Sequence, residues 1–78
     1  MWYHLVPLKK GLPVKGLCVT KLNRCVEVTV FMKAIRDMQR YKLHKIDVDS
    51  LEIYKGNVEN MVLLATIYSD GIQCNATQ

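Results

Sequence analysis

The sequence is poor in the residues that small domains use as covalent staples or as metal ligands. It has three cysteines, two histidines, four glycines and two prolines among 78 residues. No two cysteines form a Cys-x-x-Cys pair, and neither histidine stands at zinc-finger spacing from them. Because an odd number of cysteines cannot complete a disulfide framework, Cys18, Cys25 and Cys74 are expected to be free, buried thiols. The alternative is a single bridge, Cys18–Cys74 or Cys25–Cys74. No metal or other cofactor is expected.

The parts that catalysis needs are also missing. The glycines are isolated at positions 11, 16, 56 and 71, so no phosphate-binding loop is present. Cys25 has no sequence context typical of a nucleophile. Asp47 and Asp49 are closely spaced, but Leu51 and Ile53 stand where a calcium loop needs oxygen ligands and a glycine. We therefore expect a chain that is not an enzyme, in which the two aspartates bond to their own turn backbone.

Long apolar runs are absent as well. The longest mostly apolar stretch is residues 61–68, far short of the roughly 20 residues of a membrane-spanning helix. No basic residue precedes the apolar stretch at the start of the sequence, which is not typical of a signal peptide. Acidic residues are missing before Glu27, and the net charge is +4. No membrane span is expected, and the charge favours acidic partners.

The pattern of apolar residues predicts one α+β domain over residues 1–78. Strands are predicted at residues 2–8 and 14–22, joined by a loop that contains Gly11, and at residues 51–54, 61–68 and 72–74. Pro7 cannot donate a hydrogen bond within a sheet, so it is expected to mark the end or an open edge of the first strand. These elements predict a mixed sheet of four to five strands with one main helix across one face.

Residues 28–42 carry the clearest helical periodicity. Apolar residues recur there at intervals of three and four, namely Val30, Phe31, Ala34, Ile35, Met38 and Tyr41. The opposite face is predicted to meet water and carries Lys33, Arg36, Asp37, Gln39 and Arg40. Thr29 is predicted to cap the N-terminus of the helix, and Glu27 suits the positive end of the helix dipole.

The candidate partner-binding residues lie in the first third of the chain. Lys9, Lys10, Lys15 and Lys21 fall within thirteen residues that contain no acid, so their field should attract an acidic protein partner. Trp2 is a candidate anchor because aromatic residues dominate binding hot spots. The alternatives are a merely solvated basic surface and a tryptophan that covers the core. Nucleic acid is a weaker candidate, since no RNA-binding strand motif or helix-turn-helix spacing is present.

Residues 28–55 read VTVFMKAIRDMQRYKLHKIDVDSLEIYK. This stretch resembles the ubiquitin-like N-terminal domain of Crinkler-type effectors. In such domains a Thr-Val start leads into a helix with a Lys-Ala-Ile-like core, here Lys33-Ala34-Ile35. An Ile-Asp-Ala-Asp-x-Leu-x-Leu-Trp-Lys-like stretch then forms the next strand, here residues 46–55. Residues 3–6 are similar to the aromatic-x-Leu-Val start of these domains. Tyr54 stands where tryptophan is usual, and the leucine-rich motif of the oomycete members is absent.

The resemblance implies a β-grasp, ubiquitin-like fold and a non-catalytic role. It implies a module of a secreted protein that carries a C-terminal toxin domain of the full-length chain into a host cell, where many members act in the nucleus. The alternative is a cytoplasmic ubiquitin-like adaptor, similar to PB1 or UBX domains, that docks an acidic partner through its basic hairpin. The full reading frame would distinguish the two, since a fused nuclease-like or kinase-like C-terminal region favours the effector.

Overall fold

The computed structural model describes residues 2–14, 20–23, 26–57 and 59–75. In these residues the chain forms β1 (Trp2–Lys9), β2 (Leu12–Pro13), β3 (Thr20–Asn23), α1 (Glu27–Leu43), β4 (Ser50–Lys55), β5 (Val62–Tyr68) and β6 (Gly71–Cys74). The strands make one sheet in the order β2-β1-β4-β5-β6, with β3 also paired to β1. The predicted α+β class, with one helix packed on a sheet, is confirmed.

The direction of the strands corrects one part of the prediction. Every strand pair in the described residues is antiparallel, so the prediction of a mixed sheet is wrong. β3 and β4 lie on opposite edges of β1 and are both antiparallel to it, which makes them parallel to each other. A connection between two parallel strands has to cross over the sheet, and α1 provides that crossover.

The core lies between α1 and one face of the sheet. It is a cluster of ten buried residues: Tyr3, Leu5, Val30, Ala34, Met38, Tyr41, Leu51, Ile53, Ala65 and Ile67. Four of them repeat along α1 at the predicted positions, whereas Phe31 and Ile35 are only partly buried at its margin. The helix is longer than predicted by one residue at each end. In the described residues no helix is both long and apolar enough to cross a membrane.

Two predictions about α1 are wrong in detail. The residue at the N-cap is Val26, which makes no side-chain cap, and Thr29 lies inside the first turn instead of capping it. Asp37 does not face water as predicted: its side chain is 5% exposed and lies near Lys33 Nζ (3.7 Å) and Arg40 Nη2 (3.5 Å). A carboxylate can be buried on a helix when cations three and four residues away cover it.

The first hairpin turns tightly after β1. Lys10 and Gly11 both have positive φ, 53° and 80°. Two successive positive φ angles are typical of the type I′ turn, whose twist suits a two-residue hairpin. Glycine adopts this conformation without strain, whereas Lys10 bears a small steric cost.

Pro7 lies inside β1 and not at its end or on an open edge, because β4 pairs along one side of the strand and β2 and β3 along the other. The carbonyl oxygen of Pro7 accepts a hydrogen bond from Val14 N (3.3 Å), so its missing N–H also faces the β2–β3 side. On that side, Leu8 pairs with Pro13 and Leu5 pairs with Thr20. Three positions along β1 thus correspond to seven positions between these two partners. The predicted strand at 14–22 is therefore split in register; its residues 15–19 lie outside the described ones.

Candidate protein-binding surface

The residues that the sequence nominates for partner binding lie at the two ends of β1. Lys9 and Lys10 are at the hairpin end, whereas Trp2 and Lys21 are at the other. Seven residue steps of an extended strand separate Trp2 from Lys9, which is about 23 Å at 3.3 Å per residue. Lys15 lies outside the described residues. The four described residues therefore do not form one continuous patch.

At the hairpin end, acids from a distant part of the sequence meet the lysines. Lys9 Nζ donates a hydrogen bond to Asp47 Oδ2 and forms an ion pair with it. This hydrogen bond and the charge of Asp47 raise the pKa of Lys9 above its ordinary value. The backbone N–H of Lys10 donates to Asp49 Oδ2 (2.9 Å). The inference of a field without a local counter-charge is therefore wrong at Lys9, because the fold supplies acids that the sequence places 38 and 39 residues away.

Asp47 and Asp49 also depart from the expectation that they would bond to their own turn. Their carboxylates contact the hairpin instead, and the backbone N–H of Asp49 donates to the carbonyl oxygen of Leu8 (2.9 Å). The segment before β4 is thus tied to the end of β1 through side chains and backbone. Within the described part of the chain, no group of three or more His, Cys, Asp or Glu residues is arranged to hold a metal ion.

At the other end of β1, a surface cavity of about 420 Å³ brings together groups of different chemistry. It is lined by Trp2, His4, Lys21, Asn57 and Glu59. We call these five residues the Trp2 cavity. Trp2 is 43% exposed and is not among the described residues of the core cluster, which favours the interpretation as an anchor over one that covers the core. Its neighbour Tyr3 takes the core position because successive side chains on a strand point to opposite faces.

His4 and Gly56 fix one wall of the Trp2 cavity. His4 is 5% exposed, and its Nε2 lies 3.2 Å from the carbonyl oxygen of Gly56. A carbonyl oxygen can only accept, so Nε2 is the donor in this hydrogen bond. The backbone N–H of Gly56 in turn donates to the carbonyl oxygen of Trp2 (2.9 Å). Gly56 has a φ of 123°, a backbone conformation that residues other than glycine rarely adopt.

Tyr54 supports this wall from the neighbouring strand. It lies opposite His4 in the β1–β4 register, and its hydroxyl donates to Glu52 Oε1 (2.8 Å). The pKa of Tyr54 is raised above its ordinary value, mainly by burial of the phenol and secondly by its hydrogen bond to the Glu52 carboxylate. The phenol therefore stays a neutral donor through the physiological pH range.

The Trp2 cavity offers an aromatic ring, a cation, a carboxylate and an amide within one recess. Such a mixture suits a protein side chain that is partly apolar and partly polar. The sequence nominates Trp2 and Lys21 but misses His4, Asn57 and Glu59 as members of the recess. The two loop residues could not be found from a sequence pattern, because their position depends on the pairing of β1 with β4.

Cys74 corrects the remaining sequence prediction about chemistry. It is a free thiol, as predicted, but it is exposed on β6 and not buried. Cys18 and Cys25 lie outside the described residues.

The chain was compared with protein-family models, with curated proteins and with solved structures, and none of them matches it.

Proposed function

We propose that this chain is a non-catalytic protein-interaction module that binds its partner through the Trp2 cavity. The observation that carries the proposal is the meeting of the exposed indole of Trp2 with Lys21, from a different strand, at one recess. An exposed tryptophan beside a cation is the type of anchor that contributes most to binding at protein interfaces. His4 and Gly56 hold the recess in place, which lowers the entropy cost of binding.

The resemblance to the N-terminal domain of Crinkler-type effectors supplies the biological setting of the proposal. In this setting the module belongs to a secreted protein and serves the delivery of a C-terminal toxin domain into a host cell. The arrangement of a hairpin, one helix and return strands is compatible with the β-grasp fold that the resemblance implies, although the described sheet is wholly antiparallel. The sequence of the full reading frame tests this setting.

The alternative of a cytoplasmic adaptor that uses the basic hairpin has less support. The charge of Lys9 is met by Asp47, and the backbone of Lys10 is held by Asp49. An acidic partner at this end would have to compete with carboxylates that are already in place. Trp2, by contrast, is 43% exposed.

The proposal is tested by affinity capture with the full-length protein and a matched set of variants. Trp2→Ala removes the anchor, and Val62→Ala is its control, because Val62 is similarly exposed (48% against 43%) on a different strand. We expect Trp2→Ala and Lys21→Glu to lose the proteins that the parent and Val62→Ala retain, with unchanged circular dichroism. Retention by Trp2→Ala, together with loss by a Lys9→Glu, Lys10→Glu double variant, would instead support the basic hairpin.

A further inference from the structure

The sheet has an unpaired edge at β6. β6 pairs with β5 on one side, and in the described residues no strand pairs with its other side. All four residues of β6 are exposed. A strand edge of this kind presents backbone N–H and C=O groups that can hydrogen-bond to an added strand.

The register shows which backbone groups face outward. The backbone N–H of Asn75 donates to the carbonyl oxygen of Leu64 on β5 (2.8 Å). Hydrogen-bonding direction alternates along a strand, so Gln73 also faces β5, whereas the N–H and C=O groups of Ile72 and Cys74 point to the open edge. Two residues of β6 therefore offer a donor and an acceptor each.

A groove of about 270 Å³ runs beside this edge, between α1 and the β5–β6 hairpin. Its lining is mainly apolar and includes Ile35, Met38, Gln39, Lys42, Ile67 and Ile72. Ile72 lies opposite the core residue Ile67, so its side chain points to the α1 side of the sheet, yet it is 47% exposed. A residue that paired with Ile72 from outside would point to the same side and enter the groove.

The charges next to the groove are mostly positive. Lys42 lines it, and Arg36 lies on the same exposed part of α1, three residues before Gln39. Asp37 does not offset them, because it is buried beneath Lys33 and Arg40. Asp70, in the β5–β6 turn, is the acid on this side. A second copy of this chain, with its own net charge of +4, would be repelled, whereas an acidic segment would be attracted.

We propose that β6 and this groove bind an acidic peptide in extended conformation, which adds to the sheet as a further strand. Backbone hydrogen bonds to Ile72 and Cys74 hold the peptide, a Val-sized side chain fills the groove, and an acidic residue meets Lys42. This surface lies on the opposite edge of the sheet from β3, so it is separate from the Trp2 cavity and does not depend on it.

The test uses a synthetic probe, acetyl-Asp-Glu-Thr-Val-Thr-Val-Thr-Glu-Asp-amide, and the whole ¹⁵N-labelled chain. The expected result is saturable NMR shifts of the Ile72 and Cys74 amides that weaken as salt is added. A peptide with lysine in place of the four acids and a peptide with proline in place of the valines are the controls. Neither should bind, because the first reverses the charge and the second cannot pair as a strand.

Variants separate the apolar and the charged contributions. Ile72→Thr should weaken probe binding about tenfold, whereas Val62→Thr, at a similarly exposed position, should leave it unchanged. Lys42→Glu should weaken it by about the same factor, whereas Lys21→Glu at the Trp2 cavity should not. The two lysine variants make the same change, and both threonine variants replace an exposed β-branched aliphatic residue, so a general loss of stability would appear in both members of each pair.

Three outcomes would overturn the inference. The first is the absence of shifts in β6 at millimolar probe. The second is the appearance of these shifts in the free protein as its own concentration rises, which would show pairing between copies. The third is binding that responds to Lys21→Glu and not to Lys42→Glu, which would place the probe in the Trp2 cavity and leave the proposed function standing.

Discussion

The two ends of β1 carry similar residues but present different surfaces. At the hairpin end, the ammonium group of Lys9 pairs with Asp47, and the backbone N–H of Lys10 donates to Asp49. At the other end, Trp2 and Lys21 border a cavity whose wall is fixed by His4 and Gly56. A cluster of charge in a sequence is therefore available to a partner only where the fold does not supply a counter-charge.

Glycine substitutions should give the largest difference between the two ends. At Gly56 a β-carbon would overlap the backbone oxygen of Asn60, and φ is 123°, whereas at Gly11 the space is open and φ is 80°. We expect Gly56→Ala to cost about 3 kcal/mol of unfolding free energy and Gly11→Ala about 1 kcal/mol. Urea denaturation measures both. Equal costs would show that the wall of the Trp2 cavity is not rigid.

The next largest change in stability is expected at the N-terminus of α1. The N-terminus of α1 follows β3 at the Trp2 end, and its N-cap, Val26, makes no side-chain hydrogen bond. Val26→Ser should therefore stabilise the protein by about 1 kcal/mol, because the hydroxyl can accept from a free N–H of the first turn. Thr29→Ala should change the melting temperature little, since Thr29 is not the cap. A large decrease in the melting temperature of Thr29→Ala would contradict the position of the N-cap at Val26.

Alkaline pH should destabilise both ends, but the Trp2 end more. Burial and Glu52 raise the pKa of Tyr54 above 10.0, and Asp47 raises that of Lys9 above 10.5. As the pH rises, both groups lose their protons at a lower pH in the unfolded chain than in the folded one. The free energy of unfolding therefore decreases from its value at neutral pH.

The melting temperature between about pH 9 and pH 11 is the measurement for this prediction, with reductant present to protect the thiols. We expect Tyr54→Phe to remove more of the alkaline decline than Lys9→Met, because Lys9 is exposed and screened by water. A larger effect from Lys9→Met would mean that the hairpin ion pair is more important than its exposure indicates.

The smallest expected effect concerns the charges themselves. Lys9→Met and Lys21→Met each remove one positive charge, but Asp47 already meets the charge of Lys9. On a cation-exchange column, Lys21→Met should therefore elute at lower salt than Lys9→Met, and Asp47→Asn should elute later than the parent. If Lys9→Met eluted at lower salt than Lys21→Met, the hairpin would be the more basic end.

Several features of the fold can be predicted from local sequence. The periodicity locates the helix to within one residue at each end, because Val30, Ala34, Met38 and Tyr41 repeat at helical spacing and all become buried. Apolar alternation locates strands β1 and β4, and a strongly apolar run locates β5. The apolar pattern predicts one strand at 14–22, whereas the structure has β2 and β3. Pro7 faces the side of β1 on which these two strands pair. The position of Pro7 inside β1 does not follow from the sequence, because only strand pairing shows which side of the strand the missing N–H of Pro7 faces.

The candidate site can be predicted only in part. Trp2 and Lys21 are nominated by their chemistry, but the loop residues Asn57 and Glu59 reach the same recess through the pairing of β1 with β4. The ion pair of Lys9 with Asp47 could not be predicted for the same reason. Each of these results depends on contacts between residues that are far apart in sequence. The burial of Asp37 is different, because Lys33 and Arg40, which cover it, lie four and three residues away on the same helix.

One amphipathic helix, apolar strands and a set of lysines that no nearby acid precedes can all be identified from the amino-acid sequence. Local periodicity and side-chain chemistry are enough for that, because the repeat of apolar residues reflects helical or strand geometry. The antiparallel pairing, the ion pair at Lys9 and the open recess at Trp2 depend on the tertiary structure. Charges and cavities act through distances in space, and the sheet brings Asp47 to Lys9 across 38 residues of chain while it leaves Trp2 exposed.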